Sequence, residues 1–292
     1  MEKKIAIFLF RVIPLPVRRV IAIGFARLLY HLSLEHKLIA VHNLIRSFPE
    51  KSLNEILKIA KSSYASIALT MSEFFDILYL NKDNLHRWVS VRGLDHYEKA
   101  CREGKGVLLF SAHFGSWEIG SAALAMMTKP LIFMVRLLDS PFLEDASTYV
   151  RGYCGNTSLH KDNAMRPTLR LLKKGETIKL LIDQNVSWYE GVFIDFFGRP
   201  ACTTSGLATL ALHTRAPVLP IFTTRMPDGK YLMEIGPRIE TVNTGNRDRD
   251  VLMNTQNYTK IIEDHIRKYP EQWFWVHQRW KTKLWQAKRI NI

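Results

Sequence analysis

His113 and Glu118 are the residues of this chain best placed for acid–base chemistry. They share the stretch Val107-Leu108-Leu109-Phe110-Ser111-Ala112-His113-Phe114-Gly115-Ser116-Trp117-Glu118. An imidazole oriented by a carboxylate is a general base, because the carboxylate fixes its tautomer and stabilises the imidazolium formed when a proton is taken. The proton has to come from a substrate hydroxyl, since no serine or cysteine nucleophile is evident. GxSxG is absent, and Ser111 and Ser116 flank His113 without the surrounding elbow pattern. On one continuous helix the His-x4-Glu spacing would rotate the two side chains well apart. With His113 in a loop and Glu118 on the first helical turn, the carboxylate is expected to fold back onto the imidazole. Alone the spacing is a weak signal, because a histidine near a glutamate is more often structural.

The elements around this pair place it at a catalytic address. The run Gly106 to Ala112 reads as a buried strand, so His113 falls at its carboxyl end, where ligands collect in parallel α/β sheets. Gly115 permits a tight turn, Ser116 is an N-cap, and Glu118 sits where the helix dipole favours a carboxylate. Arg136 ends the strand Leu131 to Arg136, and its guanidinium suits a bidentate grip on phosphate or a developing oxyanion; a surface arginine capping a strand is the competing reading. Asp183 follows the strand Thr177 to Ile182 at the same edge, either to organise the site by hydrogen bonds or to pair with an arginine. Arg199 and Thr203 follow the Phe196-Phe197-Gly198 turn. Thr203, Thr204 and Ser205 are placed to cap the next helix, whose amides can receive phosphate, although capping alone is the simpler role.

From Gly93 onward strands and helices alternate. Helices are expected over Asp95 to Glu103, Trp117 to Met127, Arg166 to Lys174, Ser205 to Thr214 and Val251 to Lys268, with another after Pro141. Strands are expected over Gly106 to Ala112, Leu131 to Arg136, Thr177 to Ile182, Val218 to Thr223 and Tyr231 to Ile235. This predicts an α/β fold with a mainly parallel central sheet flanked by helices. Residues 35 to 80 read as helices broken at Arg46-Ser47-Phe48-Pro49-Glu50, and Leu85 to Val91 as a short strand or extended connection.

Residues 1 to 34 read as a membrane-associated helical segment, anchored or interfacial. Ile5 to Phe10 is unbroken apolar, Val20 to Leu34 nearly so, and Lys3, Lys4, Arg11, Arg18 and Arg19 border them. No uncharged stretch reaches the roughly 20 residues of a comfortable span. A core helix packed on the domain is the competing reading. The formal charge of +14 implies an anionic partner: nucleic acid, a phospholipid surface, a phosphorylated substrate or an acidic carrier protein. Cys101, Cys154 and Cys202 are widely spaced, so neither a disulfide framework nor a zinc site is indicated. The histidines lack metal-ligand spacing, and no cofactor or metal is expected. The ending Trp273, Trp275, His277, Arg279, Trp280 and Lys281 mixes aromatic and basic residues, which suits core packing near the sheet with contact to a membrane interface, or a nucleic-acid stacking surface.

Several blocks together carry a family resemblance. Ala112-His113-Phe114-Gly115-Ser116-Trp117-Glu118, Leu38 to Leu44 with Phe48-Pro49, Asp183-Gln184, Gly191 to Thr203, Ala216 to Pro220 and above all Pro270 to Lys281 resemble the bacterial lipid A biosynthesis (late) acyltransferases. These belong to the wider lysophospholipid and glycerol-phosphate acyltransferase superfamily. The resemblance implies a glycerol-phosphate acyltransferase-like domain over residues 35 to 292, with His113 as base and Glu118 as its partner. It implies Arg136 and Arg151 as substrate contacts, Arg151 being equally suited to a structural ion pair. The acyl donor would be acyl carrier protein or acyl-CoA, and the acceptor a hydroxyl of a phosphorylated glycolipid at the cytoplasmic face of the bacterial inner membrane. Another glycolipid or a lysophospholipid, such as a phosphatidylinositol mannoside, is the alternative acceptor. A non-catalytic basic membrane or nucleic-acid binding protein is a remote alternative.

Overall fold

Three helices lead into the sheet: α1 (Leu15–Leu32), α2 (Leu34–Ser47) and α3 (Leu53–Glu73). The computed structural model describes residues 13–162 and 164–288. A capping box starts α3, with Ser52 accepting from the Glu55 amide while Glu55 accepts from that of Ser52. After the short α4 (Leu85–Trp88) come β1 (Val89–Arg92), α5 (Leu94–Arg102), β2 (Val107–Ser111), α6 (Trp117–Met127), β3 (Ile132–Val135) and α7 (Pro141–Gly152). The chain continues through β4 (Thr157–His160), α8 (Met165–Lys173), β5 (Thr177–Leu181), the hairpin β6 (Gly191–Phe196) and β7 (Arg199–Thr204), and α9 (Gly206–Thr214). It closes with β8 (Val218–Arg225), β9 (Tyr231–Ile235), α10 (Arg247–Lys268) and α11 (Leu284–Lys288).

The main sheet has seven strands in the order β1-β9-β8-β2-β5-β3-β4. Every pairing in it is parallel except β8 with β9. Central β2 is buried on both faces, with Leu108 and Phe110 packed into one hydrophobic cluster and Val107 and Leu109 into the other. That explains its unbroken apolar sequence. In the register of β2 and β5, Val107 lies opposite Thr177 and Ser111 opposite Leu181, so both strands reach the carboxyl edge level with each other.

The expected α/β alternation is present, with two additions. β4 extends the sheet, and β6 with β7 forms a separate antiparallel pair. Its two-residue loop has positive φ at Phe197 (55°) and Gly198 (69°), as a twisted hairpin requires. Phenylalanine is a poor advertisement for that conformation; its amide is held by donation to Glu263 Oε2 at 2.7 Å.

Of the expected N-terminal anchor, the apolar run Ile5 to Phe10 with Lys3, Lys4 and Arg11 lies outside the described residues. The described part is α1, which packs on α3 and buries Arg18, Ala26 and Tyr30. Its other side leaves Val20, Leu28 and Leu32 exposed. Among the described residues no helix is long and apolar enough to cross a membrane. At the other end of the chain Trp273, Trp275, Arg279 and Trp280 are buried in the core, so the aromatic-basic ending is chiefly packing.

Candidate active site

The level ends of β2 and β5 deliver His113 and Asp183 side by side. His113 Nδ1 lies 2.8 Å from Asp183 Oδ1, and the His113 backbone amide donates to Oδ2 at 3.0 Å. The indole Nε1 of Trp273 donates to the same Oδ2 at 2.8 Å. Burial pushes the Asp183 carboxyl up, but the His113 charge and these hydrogen bonds outweigh it and hold the group down at about 2. An ionised carboxylate only accepts, so Nδ1 carries a proton, and in the neutral imidazole Nε2 is the acceptor. The His113 side chain is 25% exposed, enough for a substrate to reach it.

The loop holding Asp183 is itself pinned. The Asn185 amide donates to His277 Nε2 at 3.0 Å, and burial pushes His277 down to about 4, leaving it neutral and able to accept. Asn43 of α2 donates to the Trp275 and His277 carbonyls, both at 3.0 Å. The turn after His113 is equally constrained. Gly115 has φ +54°, and a Cβ there would stand 2.0 Å from the Thr223 carbonyl oxygen, so only glycine fits. Its amide donates to Gln272 O at 2.9 Å, and its carbonyl accepts from Thr70 Oγ1 of α3 at 2.8 Å.

Glu118 does not reach His113 as expected. The residue of the first helical turn beside the imidazole is Trp117, whose ring meets it edge-on at 5.3 Å. Glu118, about 100° further round the helix, points to α7. There it receives Arg151 Nη2 at 2.6 Å and Arg151 Nε at 3.2 and 3.3 Å in a buried, two-pronged pair. Burial lowers the Arg151 guanidinium, and the Glu118 charge more than restores it. Lys179 of β5 lies below, fully buried, donating to the Trp117 carbonyl at 3.0 Å and to Ser121 Oγ. Burial pulls its ammonium down to about 8 despite the nearby Glu118 charge.

The remaining candidates are dispersed. Arg136 projects outward from the end of β3, 64% exposed, and pairs with Asp139 at 3.1 Å. Thr203 is buried inside β7, its hydroxyl committed to the Ala201 carbonyl and to Arg279 Nη2, so it is neither a cap nor open to phosphate. Thr204, not Thr203, accepts from the Gly206 amide at 3.3 Å. Arg199 stacks over the Trp280 ring and makes no hydrogen bond to His113 or Asp183 among the described residues. Sequence reasoning missed Trp273 as a donor to Asp183 and missed Lys179. A lysine amid the apolar residues of Thr177 to Ile182 was the available signal for the second.

Comparison with known proteins gives this geometry a context. The model of the bacterial lipid A biosynthesis acyltransferases matches residues 4–282. The chain is 28% identical over 247 residues to a lipid A biosynthesis palmitoleoyltransferase of Escherichia coli (strain K12), covering 84% of this chain and 78% of that protein. It is 27% identical over 274 residues to a lipid A biosynthesis lauroyltransferase of the same organism, covering 93% and 87%. It is 25% identical over 238 residues to a phosphatidylinositol mannoside acyltransferase of Mycolicibacterium smegmatis, covering 80% and 76%. With the match spanning nearly its whole length, the chain belongs to the bacterial lipid A biosynthesis acyltransferase family.

Proposed function

We propose that this acyltransferase moves a fatty acyl chain from a thioester, carried by acyl carrier protein or coenzyme A, to a hydroxyl of a phosphorylated lipid A precursor, with His113 as general base. The observation that carries this reading is the His113–Asp183 pair at the carboxyl edge of the sheet, with Nε2 left as an acceptor. His113 Nε2 removes the hydroxyl proton while the oxygen attacks the thioester carbonyl. The C–O bond forms, the C–S bond breaks, and the imidazolium returns the proton to the departing thiolate. Asp183 stabilises the imidazolium between those steps.

An apolar cavity of about 710 Å³ supports a lipid substrate. Its walls include Phe25 and Leu29 of α1, Ile67 and Met71 of α3, and Phe274. The Phe274 ring lies 6.4 Å from that of His113, so the cavity adjoins the base. A chain of methylenes is the ligand such a wall favours. The exposed apolar side of α1 fits the surface of the membrane that holds such lipids, on its cytoplasmic face.

A purified-protein assay with acyl carrier protein and coenzyme A thioesters, each offered with a lipid A precursor, a phosphatidylinositol mannoside and a lysophospholipid, tests this. Transfer to the lipid A precursor is expected. Transfer only to the mannoside would assign the acceptor named for the mycobacterial relative, and transfer to none would overturn the proposal.

A further inference from the structure

A second set of cations stands apart from His113, around the β6–β7 hairpin. Arg199, the first residue of β7, lays its guanidinium over the Trp280 ring at 4.0 Å. Its Nη1 is buried with no hydrogen-bond partner among the described residues. Lys283 donates to the carbonyl of the same tryptophan, Trp280, at 2.6 Å. From α2, His42 and Arg46 present one helical face, four positions apart.

These groups feel one another. Burial first, then the Arg46 charge, pulls Arg199 down to about 10. Burial, then Arg199, Arg46 and Lys283, lowers His42 below the ordinary histidine value. Among the described residues no carboxylate pairs with Arg46, Arg199 or Lys283. Like charges gathered from three elements repel, and a buried guanidinium N–H without an acceptor is unfavourable. Both conditions are relieved by a multiply charged anion. A carboxylate has two oxygens and satisfies one guanidinium fork; a phosphate offers more oxygens and more charge, enough for several donors converging from different directions. Stacking on Trp280 engages the face of the guanidinium and none of its N–H groups.

The cluster is joined to the catalytic edge. Asn185 Nδ2 donates to Thr282 Oγ1 at 3.0 Å, and the Thr282 amide donates to Asn185 Oδ1 at 3.1 Å. Lys283 therefore follows directly on the segment that braces the Asp183 loop. We infer that Arg199, Arg46, His42 and Lys283 form a receptor for a phosphate group carried by a lipid, deepening the proposed function by giving the substrate or its bilayer a charged foothold. The phosphate has two sources, the glycolipid acceptor or a bilayer phospholipid.

Binding measured without turnover separates them and stays decisive even if the proposed reaction is wrong. The full-length protein, Arg199→Gln, the exposed Arg46→Gln, and Lys173→Gln on α8 as a control of equal charge change are compared in two assays. The first measures affinity for a phosphorylated glucosamine-disaccharide lipid and its dephosphorylated form in detergent. The second measures affinity for vesicles of phosphatidylcholine with and without phosphatidylglycerol. Loss of one charge-assisted contact is expected to weaken binding about tenfold or more. A loss in Arg199→Gln and Arg46→Gln, beyond that in Lys173→Gln and confined to the phosphorylated disaccharide, makes the acceptor the source. The same pattern confined to phosphatidylglycerol vesicles makes the bilayer the source. If Arg46→Gln, which leaves the packed Trp280 stack alone, matches Lys173→Gln in both assays, the inference is overturned.

Discussion

The imidazole Nδ1 of His113 lies 2.8 Å from Asp183 Oδ1, although the two residues come from different strands. What joins them is the register of β2 and β5, which brings the strand ends out side by side. The partner carboxylate of the histidine is supplied by the sheet, not by the helix that follows the histidine in sequence.

Replacing Asp183 with Asn removes the charge that steadies the imidazolium and unsettles the Nδ1–H tautomer. In comparable triads such a change lowers turnover by about four orders of magnitude. We predict a fall of two to four orders of magnitude per folded molecule, roughly, in acyl transfer for Asp183→Asn, read by single-turnover kinetics. A loss under tenfold would remove Asp183 from the mechanism.

The same carboxylate links stability to pH. Its folded-state value of about 2 lies below the ordinary 3.8. The contribution is thus fully present above about pH 4 and is lost as the pH falls toward 2, worth on the order of 2 kcal/mol. Urea unfolding between pH 5 and pH 2 is expected to show a steeper acid loss in the wild type than in Asp183→Asn. Parallel curves would mean that the carboxylate is not stabilised as described.

The legible and illegible parts of this molecule differ for a physical reason. Gly106 to Ala112 announces a strand because both faces are buried, and the alternation with amphipathic helices announces a mainly parallel sheet. His113 and Asp183 were visible as residues just beyond strand ends. Their hydrogen bond was not, because it depends on which strands are neighbours, and β2 pairs with β5 across an intervening β3 and β4. Glu118 misled by proximity: five positions in sequence suggest contact, yet one helical step separates Trp117, facing the imidazole, from Glu118, facing Arg151. The Phe196-Phe197-Gly198 turn was legible, but the strands β6 and β7 on either side of it were not, because the loop Phe197-Gly198 lacks the usual hairpin Asn or Asp. Trp273 read as an aromatic packing residue, and only the fold aims its indole N–H at a carboxylate.

Glu118→Gln therefore has a different signature from Asp183→Asn. Breaking a buried ion pair leaves Arg151 uncompensated and typically costs about 3–5 kcal/mol. We predict a clear drop in the urea midpoint, with the surviving folded protein retaining more turnover than Asp183→Asn. If Glu118→Gln is as stable as the wild type and the less active of the two, its carboxylate acts directly on the reaction.

Membrane contact through α1 makes a separate prediction. Leu28 and Leu32 are 53% and 70% exposed on the side away from the domain. Replacing both with Asp removes apolar area worth roughly 1.5–3 kcal/mol per side chain when fully buried and adds repulsion from anionic lipid. Vesicle flotation is expected to show at least about a tenfold loss of binding. Unchanged flotation would place the contact elsewhere.

The central claim, that His113 takes the acceptor proton, is tested most directly by acyl transfer from a labelled acyl thioester to a lipid A precursor in His113→Ala. The expected result is a loss of about two to four orders of magnitude in turnover, with circular dichroism and urea midpoint close to the wild type. A folded His113→Ala protein that transfers at the wild-type rate would contradict the account.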